Sequence, residues 1–382
     1  MQVERLKMKD LSRVADVASE VLEQVHQMMA QPNPTKHSPT FNSPFIAELC
    51  GIDRKQMQYL ARKHGLPTGA SIPGSKANAF TVEDVVAWCR AVGNRPVRPH
   101  GVPGSVIATV NYKGGVAKTS TTVAMAQALT LRGLKVLLID CDGQGSATQL
   151  AGINPEQNVT EEQTIMPLMH GEEKDLRYAV RESYWHNLSI IPASSVILAA
   201  EFVLPSRTAK ERGFRFWDIL RDALEPLREE FDAILIDTSP SLSYLTIASM
   251  MAADGLLMPC PPNALDFASS VQFWGLFNAI SESLPDVAAK KEYDFMTVVY
   301  TKVQSNEASR LVKIWMEKAY GEHINGIEIP ESVAAHTASA QLKTIYDLSK
   351  PDGTTESYRR YKEPLDRLAD YILDKIAANW SK

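Results

Sequence analysis

Between Tyr112 and Ser120 the chain reads YKGGVAKTS, which places two lysines in one short glycine-bearing loop. Gly114 and Gly115 let backbone N–H groups converge on phosphate oxygens, and the helix expected to follow adds the partial positive charge of its N-terminus. Lys118 is spaced to bridge β- and γ-phosphates, and the Thr119 hydroxyl to ligate Mg²⁺. Val116, Ala117 and Ser120 complete the cradle of a triphosphate site. The first glycine of G-x-x-x-x-G-K-[ST] is missing: Tyr112 stands in its place, followed by a second lysine, Lys113. Two further runs end in carboxylates. KVLLID leads to Asp140 and Asp142, and DAILIDTSPS leads to Asp237. Asp237 is suited to hold Mg²⁺ through water, and one of the first pair to orient an attacking water.

These residues need strands and helix starts to hold them. SVIATV before the loop and the two carboxylate-ended runs are nearly continuous aliphatic segments, as expected of strands buried on both faces. Strands are expected at 105–110, 135–139, 187–191, 232–236, 255–259 and 294–300, alternating with helical patterns. That alternation predicts an α/β fold: a mostly parallel, doubly wound P-loop sheet whose strand ends carry the site.

Ahead of this region the pattern is helical. Residues 1–30 lack Pro and Gly, and Leu11, Val14, Ala18, Val21, Val25 and Met28 alternate spacings of three and four. Such a seam suits either a dimerisation helix or a lone amphipathic helix on its own chain. Residues 31–44, with four prolines, are expected to be a linker. Over 45–93 we expect a winged helix-turn-helix: a helix from Phe45 to Cys50, a turn at Gly51, a second helix from Asp53 to His64, a wing over 65–79, and a capping box from Thr81 to Asp84 opening a third helix. Arg54, Lys55, Gln56, Gln58, Arg62 and Lys63 lie on the second helix and Lys76 on the wing, as donors for phosphates and base edges of DNA. An ordinarily solvated basic face would show the same residues. Residues 94–104 are a second linker, and 105–382 the nucleotide-binding domain.

Charge supports this division. The chain carries −5 overall, but residues 36–100 hold nine Lys/Arg against four Asp/Glu. Cys50, Cys89, Cys141 and Cys260 are scattered without CxxC spacing, so neither a disulfide framework nor a zinc site is indicated. With 45% apolar and 22% charged residues the composition is globular, and no apolar run approaches the roughly 20 residues of a spanning helix. A cytoplasmic protein is expected.

KGGVAKTS, LLIDCDGQGSAT and LIDTSP, in this order, resemble the ParA/MinD family of deviant Walker A ATPases over 105 to about 375. The helical N-terminal region makes the chain similar to the large partition members that also repress their own operon. The resemblance implies ATP/ADP and Mg²⁺ as ligands and a homodimer sandwiching two ATPs, with Lys113 reaching the partner's phosphates. It implies Lys118, Thr119 and Asp237 in phosphate and Mg²⁺ roles, Asp142 activating water with Asp140 as its neighbour, and 259–266, including Pro261 and Asn263, beside the adenine. It further implies operator-specific and non-specific DNA binding, a ParB-type centromere-binding partner, no membrane contact, and a nucleoid-associated location. MinD-like members end in a membrane-targeting helix, whereas Leu365 to Trp380 here is expected to dock on the fold. Two departures stand out. Gly143 replaces a common proline and should loosen its loop. Glu331 replaces an arginine that serves DNA binding in relatives, leaving Lys343, Arg359, Arg360 and Lys362 nearby as substitutes or as solvated surface. A nucleotide-regulated transcriptional repressor and a positioning ATPase for a protein cargo are the competing readings.

Overall fold

Aliphatic runs such as VLLIDC, AILIDT and GLLMPC bury every residue, which only a strand covered on both faces can do. In the computed structural model, which describes residues 7–29, 36–72, 74, 78–93, 95–284, 290–348 and 355–381, these runs are central strands. The eight-stranded sheet is built from β3 (Ser105–Thr109), β4 (Val136–Cys141), β5 (Arg181–Glu182), β6 (Leu188–Ile191), β7 (Ala233–Thr238), β8 (Gly255–Cys260), β9 (Phe295–Val303) and β10 (Ile324–Pro330). Its order is β10-β9-β8-β3-β7-β4-β6-β5. All neighbours pair in parallel except β5, which runs antiparallel to β6. The six expected strands are present. The two edge strands, β5 and β10, were not anticipated, because β5 spans two residues and β10, INGIEIP, alternates buried and exposed positions with a glycine inside.

Helices cover both faces. On one lie α5 (Lys118–Leu131) and the C-terminal α14 (Thr355–Trp380); on the other lie α8 (Ala200–Lys210), α9 (Ile219–Glu230), α10 (Tyr244–Ala252) and α11 (Ala264–Ser283), with α12 (Glu307–Tyr320) and α13 (Val333–Ala340) beside β9 and β10. As expected, the terminal segment docks: Leu365, Leu368, Ala369, Ile372, Leu373, Ile376 and Trp380 are buried. Short helices α6 (Ser146–Leu150) and α7 (Met166–His170) fill the connections after β4.

The preceding helical region is α2 (Ser43–Cys50), α3 (Arg54–His64), the hairpin β1 (Ala70–Ser71) with β2 (Asn78–Ala79), and α4 (Val82–Val92). Gly51 joins α2 to α3 in the left-handed conformation at φ 66°, and its N–H bonds Ala47 and Glu48 carbonyls. Asp53–Gln56 and Thr81–Asp84 form reciprocal capping boxes. Helix α2 starts two residues earlier than expected, because Asn42 caps it and Pro44 occupies the first turn, where no N–H is required.

Ser38–Lys382 form one compact unit. Ile46, Val85, Trp88 and Cys89 share a core with α5 and α14, and the stretch expected as a linker is pinned along its length. Arg98 donates to Asp232 Oδ1 at 2.7 Å and to the Val102, Arg228 and Glu229 carbonyls, while Arg95 bonds Asp370 and the Leu49 carbonyl. Met1–His37 form a separate unit. It contains α1 (Met8–Met29), on which Val14, Val17 and Val21 are more than half exposed; the Leu11, Val25 and Met28 side chains of the expected seam lie outside the described residues.

Candidate functional site

The sheet order puts β3 between β7 and β8, with β4 one strand further, so the loop after β3 meets both carboxylate-ended strands at one edge. Lys118 begins α5 and is buried. Burial pushes its pKa below the usual lysine value, against the pull of Asp237 and Asp142. Its Nζ donates to the Lys113 carbonyl at 3.0 Å. Gly115 is left-handed at φ 75°, and so is Ala117 at φ 71°, where the usual motif carries its second glycine. No side chain caps the start of α5, which leaves its first N–H groups available to an anion.

Residues absent from the motif hold the loop. Buried Asn111 accepts the Lys113 N–H at 3.1 Å and donates to the Pro259 carbonyl, and the Thr301 hydroxyl donates to the Val116 carbonyl at 2.9 Å. Sequence reading missed both, since an amide or hydroxyl at a strand end carries no spacing signal.

Asp237 is fully buried. Its Oδ1 lies 3.2 Å from the Thr122 hydroxyl and its Oδ2 has no hydrogen-bond partner. Burial, then the charge of Asp140, raises its pKa to about 8, while Thr119 and Lys118 pull the other way. An unpartnered buried oxygen beside Thr119 fits a divalent cation held through water. No group of three acidic, His or Cys side chains able to hold a metal exists among the described residues, so such an ion would depend on Thr119, Asp237 and the phosphates.

Asp140 has a different part. Its Oδ2 accepts from the Thr148 N–H and hydroxyl, at 2.8 and 2.7 Å, and its Oδ1 accepts the Asp142 N–H at 3.1 Å. Burial nevertheless raises its pKa to about 6. Both oxygens are committed to the loop after β4, so Asp140 positions that loop rather than facing a ligand. Asp142 is half-buried and accepts the Gln144 N–H. Gly143 was expected to loosen this loop. A Cβ there would meet the Leu198 side chain at 2.7 Å, and Leu198 is 54% exposed, so that side chain would have to shift to admit it.

Lys113 Nζ lies 2.5 Å from Asp266 Oδ1, a charge contact without hydrogen-bond alignment. Asn263 caps α11 by accepting the Asp266 N–H at 3.0 Å. Asn263 and Pro261, expected beside the base, do not line the cavity next to the loop. That cavity of about 230 Å³ runs from Gly115, Ala117 and Ser120 to Thr301, Lys302 and Ile329–Ser332, under α13. Lys343 lines it also.

On α3, Arg54, Lys55, Gln58, Arg62 and Lys63 are exposed along with Tyr59, which the sequence reading passed over. Gln56 Oε1 accepts the Asp53 N–H, so this side chain is engaged in its own helix cap. Lys76 lies outside the described residues. Arg359 and Arg360 are exposed on α14, whereas Lys362 is tied to Asp366 and covers the Phe45 and Tyr346 rings.

The sequence pattern of a family described as an AAA domain matches residues 104–289. The protein SopA of Escherichia coli K12 is 30% identical over 306 residues, covering 78% of this chain and 77% of SopA. The chromosome partitioning protein ParA of Caulobacter vibrioides is 31% identical, covering 70% of this chain and 96% of ParA. The chain belongs to the ParA/MinD family of P-loop ATPases. Within it, this chain stands close to the partition ParA proteins. Solved structures agree on the fold. One described as a partition protein superposes with a TM-score of 0.64 at 17% identity, covering 98% of this chain and 99% of that one. A complex of a Cyanothece McdA variant with ATP superposes at 0.56 and 22% identity, covering 70% and 97%. Among the described residues no helix is long and apolar enough to cross a membrane.

Proposed function

We propose that this chain is a DNA-partition ATPase whose ATP-bound form is a homodimer. The observation that carries the reading is Lys113 inside a cradle that already has its phosphate lysine, Lys118. One triphosphate needs one such lysine, and the second is free to serve a site outside its own chain. Solved relatives in this fold hold ATP, which supports ATP as the ligand here. Phosphates sit on the loop and the start of α5, and the base enters the cavity walled by β9 and β10. Mg²⁺, held by Thr119 and through water by Asp237, would supply charge neutralisation. Asp142 orients the water, and Asp140 holds the loop that carries Asp142.

Lys113 is held by Asp266 of its own α11. Crossing to a partner's phosphates means leaving a nearly buried carboxylate, so the trans contact forms only when the gain at the phosphates exceeds that loss. ATP thereby joins two chains, and hydrolysis releases them. Helix α3, with its exposed basic residues, reads an operator and gives repression of the chain's own operon. A second mode, sequence-independent and ATP-dependent, uses Arg359, Arg360 and Lys343. A ParB-type centromere-binding protein stimulates hydrolysis, and the chain works in the cytoplasm on the nucleoid.

Two variants separate these parts. Lys118→Ala is expected to abolish ATP hydrolysis and ATP-dependent DNA binding. Arg54→Ala with Lys55→Ala is expected to keep hydrolysis and to lose operator binding by on the order of tenfold or more at physiological salt. Gel shifts on operator and random duplexes, with ATP, ADP and no nucleotide, read both. Operator binding that survives the double change would remove α3 from the reading. Lys113→Ala should bind ATP as a monomer yet fail to dimerise with ATP in analytical ultracentrifugation; a normal ATP-dependent dimer would rule out the trans lysine.

A further inference from the structure

The cavity beside the phosphate loop is lined mainly by small and apolar residues, and a carboxylate stands on its wall. Among its described lining residues Glu331 is the single acid, alongside Lys302, His336 and Lys343. Its side chain is 44% exposed and held on one side. Its N–H donates to the Val303 carbonyl at 3.1 Å, and Gln304 Nε2 donates to Oε2 at 2.7 Å. The remaining oxygen, Oε1, lies 3.9 Å from His336 Nε2, beyond hydrogen-bond distance. Across the rim Lys302 is held in the left-handed region at φ 49°, the kind of backbone strain that collects at ligand sites.

Each part of a nucleotide can be placed against this wall by its chemistry. Phosphates belong to the loop end and would be repelled by Glu331. The faces of the base suit the apolar lining, Ala124, Ile329, Ala338 and Ile345. What remains is the sugar, whose vicinal hydroxyls are adjacent neutral donors, and a carboxylate is the side chain that takes them. We propose that Glu331 accepts hydrogen bonds from the ribose hydroxyls of the bound nucleotide and makes the chain selective for ribonucleotides over deoxyribonucleotides. This rests on the nucleotide reading above, and it gives the residue that replaces the expected arginine a role of its own. A carboxylate aimed at the base edge would instead favour guanine, which presents two N–H groups side by side.

Titration calorimetry with Mg²⁺ and ADP, 2′-deoxy-ADP, 3′-deoxy-ADP and GDP tests it; diphosphates avoid turnover. The full-length wild type should bind at least one deoxy analogue on the order of tenfold more weakly than ADP. Glu331→Ala should bring ADP and the deoxy analogues to similar affinity. Glu331→Gln, which keeps the shape and the acceptor but not the charge, should retain a reduced preference, and it carries the test if the alanine variant fails to fold. Equal affinities in the wild type, or a preference that survives Glu331→Ala, would overturn the proposal. Tightest binding of GDP, lost in Glu331→Ala, would overturn it in favour of base-edge reading. A wild type that binds no ADP would instead overturn the nucleotide assignment itself.

Discussion

Asp237 shows what the site costs its own fold. A carboxyl whose pKa is raised to about 8 in the folded chain against about 3.9 unfolded binds a proton more tightly when folded. Its contribution to stability is full below the unfolded pKa and is lost as pH rises through the folded one. Asp140, raised to about 6, adds a loss with the same sign lower in that window. The nucleotide-free protein should therefore melt at falling temperature from pH 5 to pH 8.5. Asp237→Asn should flatten the upper part of that fall and raise the melting temperature at pH 8, which scanning fluorimetry across the range will measure. A parallel pH slope in both proteins would show that Asp237 is not the group responsible. At this scale much of the site was legible: Lys118, Thr119, Asp142 and Asp237 are placed by motif spacing and strand ends. Asn111, Thr122, Thr301 and Asp266 were not, because each acts through a contact made across the fold. Ala117 was expected in the cradle from its spacing, but its left-handed backbone, at a glycine position of the usual motif, shows only in the fold.

Among elements, the C-terminal end of α5 is the meeting point of the nucleotide-binding and helical regions. Arg132, almost wholly buried, donates to Asp370 Oδ1 at 2.7 Å and to the Asp366 carbonyl at 2.8 Å, and Arg95 binds the same Asp370 carboxylate. Asp370, pulled down chiefly by its hydrogen bond from Arg132 against the cost of burial, stays ionised. Removing it takes away the nearest carboxylate of a buried guanidinium and leaves Asp366 Oδ1 at 3.9 Å; because Asp370 is itself 46% exposed, the loss should be about 1–3 kcal/mol, below that of a fully buried pair. Asp370→Ala should lower the urea midpoint accordingly, while Arg359→Ala on the same helix, whose partner is exposed Glu363, should lower it by less than about 1 kcal/mol equivalent. Equal small effects would mean that water reaches Arg132. Helix α3 and the capping boxes were readable from local sequence, since caps and turns are short-range. The two edge strands were not: β5 is too short to show a period, and β10 is recognisable only by its pairing with β9.

For the whole molecule, the expected boundary between a helical domain and an α/β domain does not correspond to a break in packing. The core that holds Ile46, Val85 and Trp88 also holds Leu129 and Leu368, and the connecting segment is clamped by Arg95 and Arg98. Calorimetry of residues 38–382 should give one cooperative transition, with equal calorimetric and van't Hoff enthalpies. Two resolved transitions would show that the shared core does not couple the regions. Composition could not reveal this, because a stretch rich in proline, glycine and arginine looks the same whether it floats or is pinned.

The shared core also bears on how the chain is made. Residues 38–92 leave the ribosome early, but the helix that completes their packing, α14, is the last 26-residue helix of the sequence. At ordinary synthesis rates the interval is roughly 15 to 60 s. Through that time Phe45 lacks the Lys362 side chain that lies over its ring and Arg95 lacks Asp370, so nascent chains stalled before α14 are the species that chaperones and proteases will meet.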